Sequence, residues 1–347
     1  MTTLFSRLCP RAARLGAAGL AALALGAPAA GAQSGTAAAE FLEIPIGARA
    51  TAMGGAFGAT ASDGTAMYWN PAGIARLPNQ TATFEYAQWY VGVDVNYAAV
   101  TSQTRLGTVG VGLTSVRFDD MDVVSETTND QQPTGETFSA GSYALSLSYA
   151  NALTDRFAIG GTVKVVREQI ANSAATGVAF DVGTLFTTPF RGVRLGASIL
   201  NYGSRMKISG SDLNVPFDPL PGQNGNNGNV PSRIETDRYN MPLLMRVGVA
   251  SDVYQQAGTR LTVAVDALAP SSAAQHLNLG AELGLLGGLV QLRGGYQELF
   301  MADSDRSFTL GGGLRYQFGR LDLAADYAYE ASQYFDGVNR LAFALNF

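Results

Sequence analysis

Alternation is the feature that most limits what this chain can become. At 143–149, YALSLSY, an extended backbone puts Tyr143, Leu145, Leu147 and Tyr149 on one face and Ala144, Ser146 and Ser148 on the other. At 321–330, Leu321, Leu323, Ala325, Tyr327 and Tyr329 face one way, and Asp322, Ala324, Asp326, Ala328 and Glu330 face the other. A period of two is the period of a strand. Fourteen segments show it, near 81–90, 94–103, 107–117, 138–150, 156–168, 177–187, 192–202, 241–251, 259–268, 276–284, 289–298, 307–318, 320–331 and 338–347. Many are about 10 residues long, which is the length a tilted strand needs to cross a bilayer. One apolar face and one small or polar face suit a wall between lipid and a wet lumen.

Helical spans are excluded by the same pattern. The longest apolar run after the N-terminal region, LGLLGGLVQL at 283–292, is interrupted by Gly287 and Gly288. It also falls short of the roughly 20 residues a spanning helix requires. Mean hydropathy is only +0.08. Two classes survive, a secreted soluble β protein and an outer-membrane β-barrel.

The N-terminus supports export. Arg7, Arg11 and Arg14 precede an apolar stretch at 15–30, which ends in the small-residue exit Ala30-Gly31-Ala32. This is the form of a secretory signal peptide, expected to occupy 1–32. The one cysteine, Cys9, lies inside it. The mature chain therefore has neither disulfides nor thiolate metal sites. Without the three signal arginines, 20 basic residues face 28 acidic ones and the net charge is −8. That balance disfavours a nucleic-acid partner.

Connections sort by parity. Short turns near 151–155, 285–288 and at Gly319 join alternate pairs of segments, whereas the acidic stretch 118–137 and the Asn/Gly-containing stretch 203–240 are long. Short turns on one rim and long loops on the other are expected of an outer-membrane barrel with its short rim in the periplasm. The connection near 91–94 is short for the outer rim. The inward face would carry charges of both signs, basic Lys164, Arg194, Arg246, Arg293 and Arg315 with acidic Asp181, Asp266, Glu282, Asp322 and Asp326. Such a lumen is expected to form ion-pair networks rather than a selective ion path. The last segment ends LAFALNF, with Leu341, Phe343, Leu345 and the terminal Phe347 on one face. This ending resembles the signal read by the barrel assembly machinery.

A compact helical knot precedes the strands. In SDGTAMYWNPAGIARL at 62–77, Asn70 is placed to cap a short helix that opens with Pro71, and Asp63 to cap a preceding turn bearing Met67, Tyr68 and Trp69. A fourteen-stranded barrel has a lumen wide enough to need filling. Non-strand backbone is tolerated there because it is buried in protein.

The block IGARATAMGGAFGATASDGTAMYWNPAGIARL at 46–77 resembles the N-terminal signature of PorV/PorQ proteins, within the wider group of FadL-like barrels. Gly47, Ala48, Arg49, Met53, Gly54, Gly55 and Ala56 match its first part, and Asp63, Trp69, Asn70, Pro71, Ala72 and Gly73 its second. The resemblance implies a lumenal hatch built on the Asn-Pro-Ala block. It also implies one of two roles. PorV-like proteins handle cargo in type IX protein secretion and surface attachment. FadL-like proteins pass hydrophobic molecules across the outer membrane and out sideways between strands.

The other motifs carry less. Met53-Gly-Gly-Ala-Phe-Gly58 lacks the preceding strand and the Lys-Ser/Thr of a phosphate loop. His276 is the only histidine and reads as a rim residue, which leaves a barrel hydrolase a weak third reading. The acidic residues of 119–130 lack the Gly-centred spacing of a Ca²⁺ loop.

The expectation is an all-β, 14-stranded antiparallel transmembrane β-barrel with an N-terminal lumenal plug of short helical turns. Signal peptide, plug and barrel would occupy 1–32, 33–78 and 79–347. No enzyme activity, cofactor or metal is expected. Gly54, Gly55, Asp63, Trp69, Asn70, Pro71, Ala72 and Gly73 would build the plug. Leu341, Phe343, Leu345 and Phe347 would direct assembly. The partners expected are outer-membrane lipid, the assembly machinery, and secreted cargo proteins or hydrophobic ligands. Protein export is the first reading and hydrophobic-solute transport the second.

Overall fold

The computed structural model describes residues 37–124, 133–222, 225, 227–301, 304 and 306–347. The expected signal peptide, the first plug residues at 33–36, and Glu126 and Asp130 of the acidic loop lie outside the described residues.

All fourteen expected segments are strands. They are β1 (Gln80–Gln88), β2 (Val93–Thr104), β3 (Gly107–Phe118), β4 (Ala140–Thr154), β5 (Phe157–Ile170), β6 (Ser173–Thr187) and β7 (Arg194–Gly203), then β8 (Leu244–Gln256), β9 (Thr259–Pro270), β10 (His276–Leu285), β11 (Val290–Leu299), β12 (Arg306–Phe318), β13 (Leu321–Ser332) and β14 (Val338–Asn346). Each pairs antiparallel with its chain neighbours, and β14 returns to β1, from Thr81↔Asn346 to Gln88↔Asn339. Closure leaves no strand edge in lipid, where an unpaired backbone group costs several kcal/mol.

The alternation maps onto inside and outside as read. Leu145, Leu147, Phe343 and Leu341 are about half exposed on the outer wall, while Ala144, Ser148, Ala328 and Ala342 are buried on the inner one. Tyr86, Tyr149, Tyr296, Tyr316 and Phe318 are exposed near strand ends. This is an apolar belt with aromatic margins, the exterior of a protein that lives in a bacterial outer membrane.

The connections depart from simple parity. β5 and β6 run on to Ile170 and Ser173, so an outer connection expected over 169–176 is a two-residue turn with Ala171 at φ 49°. The segments run past their alternating core because Gln169 and Ala174 still pair in the ladder. The asymmetry therefore rests on two loops. Each contains its own hairpin, Met121–Val124 with Pro133–Phe138 and Asn214–Phe217 with Val230–Arg233. On the other rim the turns are tight. Gly319 takes φ +61° between β12 and β13, a conformation that costs glycine little.

Candidate functional site

The plug fills the lumen with short pieces rather than a helix bundle. They are a turn at Glu40–Glu43, α1 (Ala48–Ala52), α2 (Ala66–Trp69) and a 3₁₀ turn at Pro71–Arg76. Each is too short to be stable alone. Their stability comes from contact with the wall, and glycine permits that contact. A Cβ on Gly160 of β5 would lie 2.6 Å from the Pro71 carbonyl carbon, and one on Gly311 of β12 would lie 2.5 Å from the Ala52 Cβ. Cβ atoms on Gly183, Gly196, Gly280 and Gly295 would run into Asn70, Gly58, Met53 and Gly54 respectively. The plug thus lies directly on the inner wall from β5 round to β12, where larger wall side chains would have held it off.

The motif residues occupy this contact. Asn70 is fully buried. Its Oδ1 accepts from the Ala72 N–H at 3.2 Å, as expected of a cap, and Pro71 opens the turn behind it. Its Nδ2 donates to Gly58 O at 2.8 Å and to Thr184 O of β6 at 3.0 Å, a tie to the wall that capping alone does not require. Gly73 lies so close to Ala61 O that a Cβ would be 2.5 Å away. Gly54 N–H donates to Thr309 Oγ1 at 3.0 Å, and Gly55 O accepts from Arg246 Nη1 at 2.9 Å. Trp69 Nε1 donates to Ile46 O at 2.6 Å, and the Arg246 guanidinium lies 4.4 Å from its ring centroid. Asp63 does not cap α2 directly. Its carboxylate accepts from the Thr65 N–H at 2.9 Å, and Thr65 takes the cap position.

The lumen is charged in both signs, and the charges pair. Glu282 accepts from Arg49 at 2.9 Å, Arg293 at 2.9 Å and Arg260 at 3.1 Å. Lys164 meets Asp181 at 2.7 Å, and Arg246 meets Asp266 at 3.3 Å. One network was not foreseen. Arg340 is fully buried, 3.3 Å from both Glu85 and Glu330, and donates to Pro45 O at 2.7 Å. Glu85 also accepts from the Gly47 N–H. The signal was present in the alternation, since Glu85, Glu330 and Arg340 all fall at inward positions of β1, β13 and β14. A buried charge persists only when paired and hydrogen-bonded. Here the plug backbone supplies part of that pairing.

Between the plug and the outer rim lies a cavity of about 250 Å³. Tyr68 and Trp69 of the plug, Leu244 of β8, Leu268 of β9 and Met301 give it apolar walls. Gln297, Asn278, His276, Glu43 and Arg306 add polar groups. A bulge shapes this wall. Leu277 pairs with Leu299 but Leu279 with Tyr296, so Asn278 faces both Gln297 and Glu298, and Glu298 takes φ 54°. Gln297 is 3% exposed, and its Nε2 has no hydrogen-bond partner among the described residues. His276, expected on the rim, is half-buried in this cavity with Nδ1 3.0 Å from Ala274 O. Burial pushes the Glu43 carboxyl above the ordinary carboxylate range, although the Ser272 hydroxyl donates to it at 2.7 Å. Among the described residues no group of three metal-ligating side chains gathers.

No family model matches the sequence, and no curated protein matches it. Solved structures do match the fold. The toluene transporter TodX of Pseudomonas putida matches with a TM-score of 0.55 at 12% identity, over 86% of this chain and 96% of that one. The toluene transporter TbuX of Ralstonia pickettii matches with a TM-score of 0.54 at 13% identity, over 86% and 97%. What this chain shares with them is the fold, here a closed barrel of fourteen antiparallel strands around an N-terminal plug.

Proposed function

We propose that this protein admits small, compact hydrophobic molecules through the outer membrane. The observation that carries the reading is the cavity walled by Trp69, Leu244, Leu268 and Met301 directly over the plug. About 150 Å³ suffices for benzene in an apolar protein cavity. At about 250 Å³ the space suits one small aromatic molecule, and an extended long-chain acid does not fit inside it. Of the charges beside it, Arg246 pairs with Asp266 and Arg306 with Glu298, and the Glu43 carboxyl accepts from the Ser272 hydroxyl, so the site offers little to a free ion. Gln297 supplies a donor for orientation, in the manner of polar groups in otherwise apolar pockets. The transporters of similar fold are described as taking toluene, which agrees with this ligand class. The plug pressed onto the wall from β5 to β12 leaves no straight path there, so a sideways exit between strands is the reading we favour. Cargo handling in protein secretion, the first expectation from the 46–77 motif, has no comparable cavity to support it among the described residues.

The chain has two tryptophans, and only Trp69 lines the cavity. In a Trp89→Phe variant, toluene should quench the remaining fluorescence saturably, and Ala273→Phe, which fills the cavity, should abolish the effect. Vesicles carrying the protein should take up toluene faster than protein-free vesicles. Absence of saturable quenching together with unchanged uptake would sink the proposal.

A further inference from the structure

We propose that the exterior of the barrel beside the long loop holds a phosphorylated glycolipid of the outer leaflet. The strand register makes the surface. Arg167 of β5 pairs with Thr176 of β6, and both face outward. β7 ends at Gly203, and beyond it the chain at 206–210 takes its place against β6, with Ser209↔Ala174 and Gly210↔Ser173. In that stretch Met206 is buried and Ile208 packs against the core, so Lys207 and Ser209 point the other way. Lys207 and Arg167 therefore flank Thr176 on the lipid-facing side, near the rim that carries the long loops.

The same stretch borders a cleft. The chain at 233–236 runs alongside, held by Thr236 Oγ1 to Ile208 O at 2.8 Å and by the Ile234 N–H to Leu213 O at 2.8 Å. Lys207, Ser209, Arg233 and Thr236 line it, with Glu235 as the one acidic member. Among the described residues, Arg167, Lys207 and Arg233 are in no ion pair. The neighbouring Asp212 is already taken, accepting from the Asn172 N–H at 2.8 Å and from Ser173 Oγ at 3.2 Å. Arg167 has only a long hydrogen bond to Gln169 Oε1 at 3.5 Å, and three cations without an ion pair among the described residues, on a chain of net charge −5, call for an anion. Immediately below them the outer wall is apolar, with Val165, Val178, Phe180 and Tyr202 exposed. A partner must therefore present negative charge at the interface and acyl chains beneath it. Phosphate on an acylated sugar meets both requirements. Guanidinium and ammonium groups bind phosphate through charge-assisted hydrogen bonds.

The test uses the folded barrel in mild detergent and native mass spectrometry. The probes are a bis-phosphorylated acyl-disaccharide glycolipid and its enzymatically dephosphorylated form. A heat-dependent gel shift verifies that each variant is folded. The phosphorylated form should bind more tightly, and a Lys207→Gln/Arg233→Gln double variant should lose about tenfold to thirtyfold in affinity, from about 1 kcal/mol per interfacial cation. Arg320→Gln, on the opposite rim, should change nothing. Equal binding of both lipid forms, unchanged affinity of the double variant, or equal binding of phosphatidylglycerol would each overturn the proposal.

Discussion

Replacing Asn70 with alanine should detach the plug from the wall without unfolding the barrel. The side chain makes three hydrogen bonds, to the Ala72 N–H, Gly58 O and Thr184 O, in a fully buried position. At roughly 1 kcal/mol each, somewhat more where the abandoned partner stays buried, the loss is about 3–4 kcal/mol. That raises the undocked fraction of the plug by two to three orders of magnitude, at about 1.4 kcal/mol per factor of ten. The strand ladders are untouched, so the heat-dependent gel mobility of the barrel should be preserved. Solute leakage, read by the swelling of vesicles in small sugars, should rise. An Asn70→Asp variant separates two accounts of the residue. Aspartate caps a helix as well as asparagine does, but it cannot donate to Gly58 O and Thr184 O and would set a second oxygen against them. Asn70→Asp should leak at least as much as Asn70→Ala. If aspartate restores tightness, the tie to β6 is irrelevant and the residue is only a cap.

Arg340→Leu should leave Glu85 without its cation in the buried wall and Glu330 with only Arg306, 3.8 Å away, a loss of about 3–5 kcal/mol that a lowered urea midpoint of barrel unfolding would register. Glu43 has a folded-state pKa above its unfolded value, so its protonated form stabilises the docked plug. Stability should therefore grow as pH falls through the window just above the ordinary carboxylate range and decline as pH rises through it. Glu43→Gln should flatten that dependence, as measured by protease sensitivity of the plug. Removing Phe347, one of the outward residues of the last strand with Leu341, Phe343 and Leu345, should lower the amount of barrel reaching the outer membrane, while refolding in detergent stays intact.

The wall was legible because a barrel strand has only two environments, and a period of two records both. Every strand was located, and errors gathered where pairing outlasts alternation, as at Gln169 and Ala174 in the β5–β6 turn. The lumen was legible only as a set of inward charges. Sequence places Glu85, Glu330 and Arg340 on the inner face, but the partner of each depends on neighbouring strands far apart in the chain. Arg340 meets Glu85 only because β14 closes onto β1. The wall glycines were the least legible of all. Gly160, Gly183, Gly196, Gly280, Gly295 and Gly311 fall inside strands, where glycine ordinarily weakens the element. Their reason lies outside the strand, in the plug: its backbone passes within contact of Gly160, Gly196, Gly280 and Gly295, and its side chains within contact of Gly183 and Gly311. His276 stands at the first residue of β10 on the outer rim, as it reads, and what the sequence does not show is that this position also lines the cavity beneath the rim, because that depends on where the plug sits.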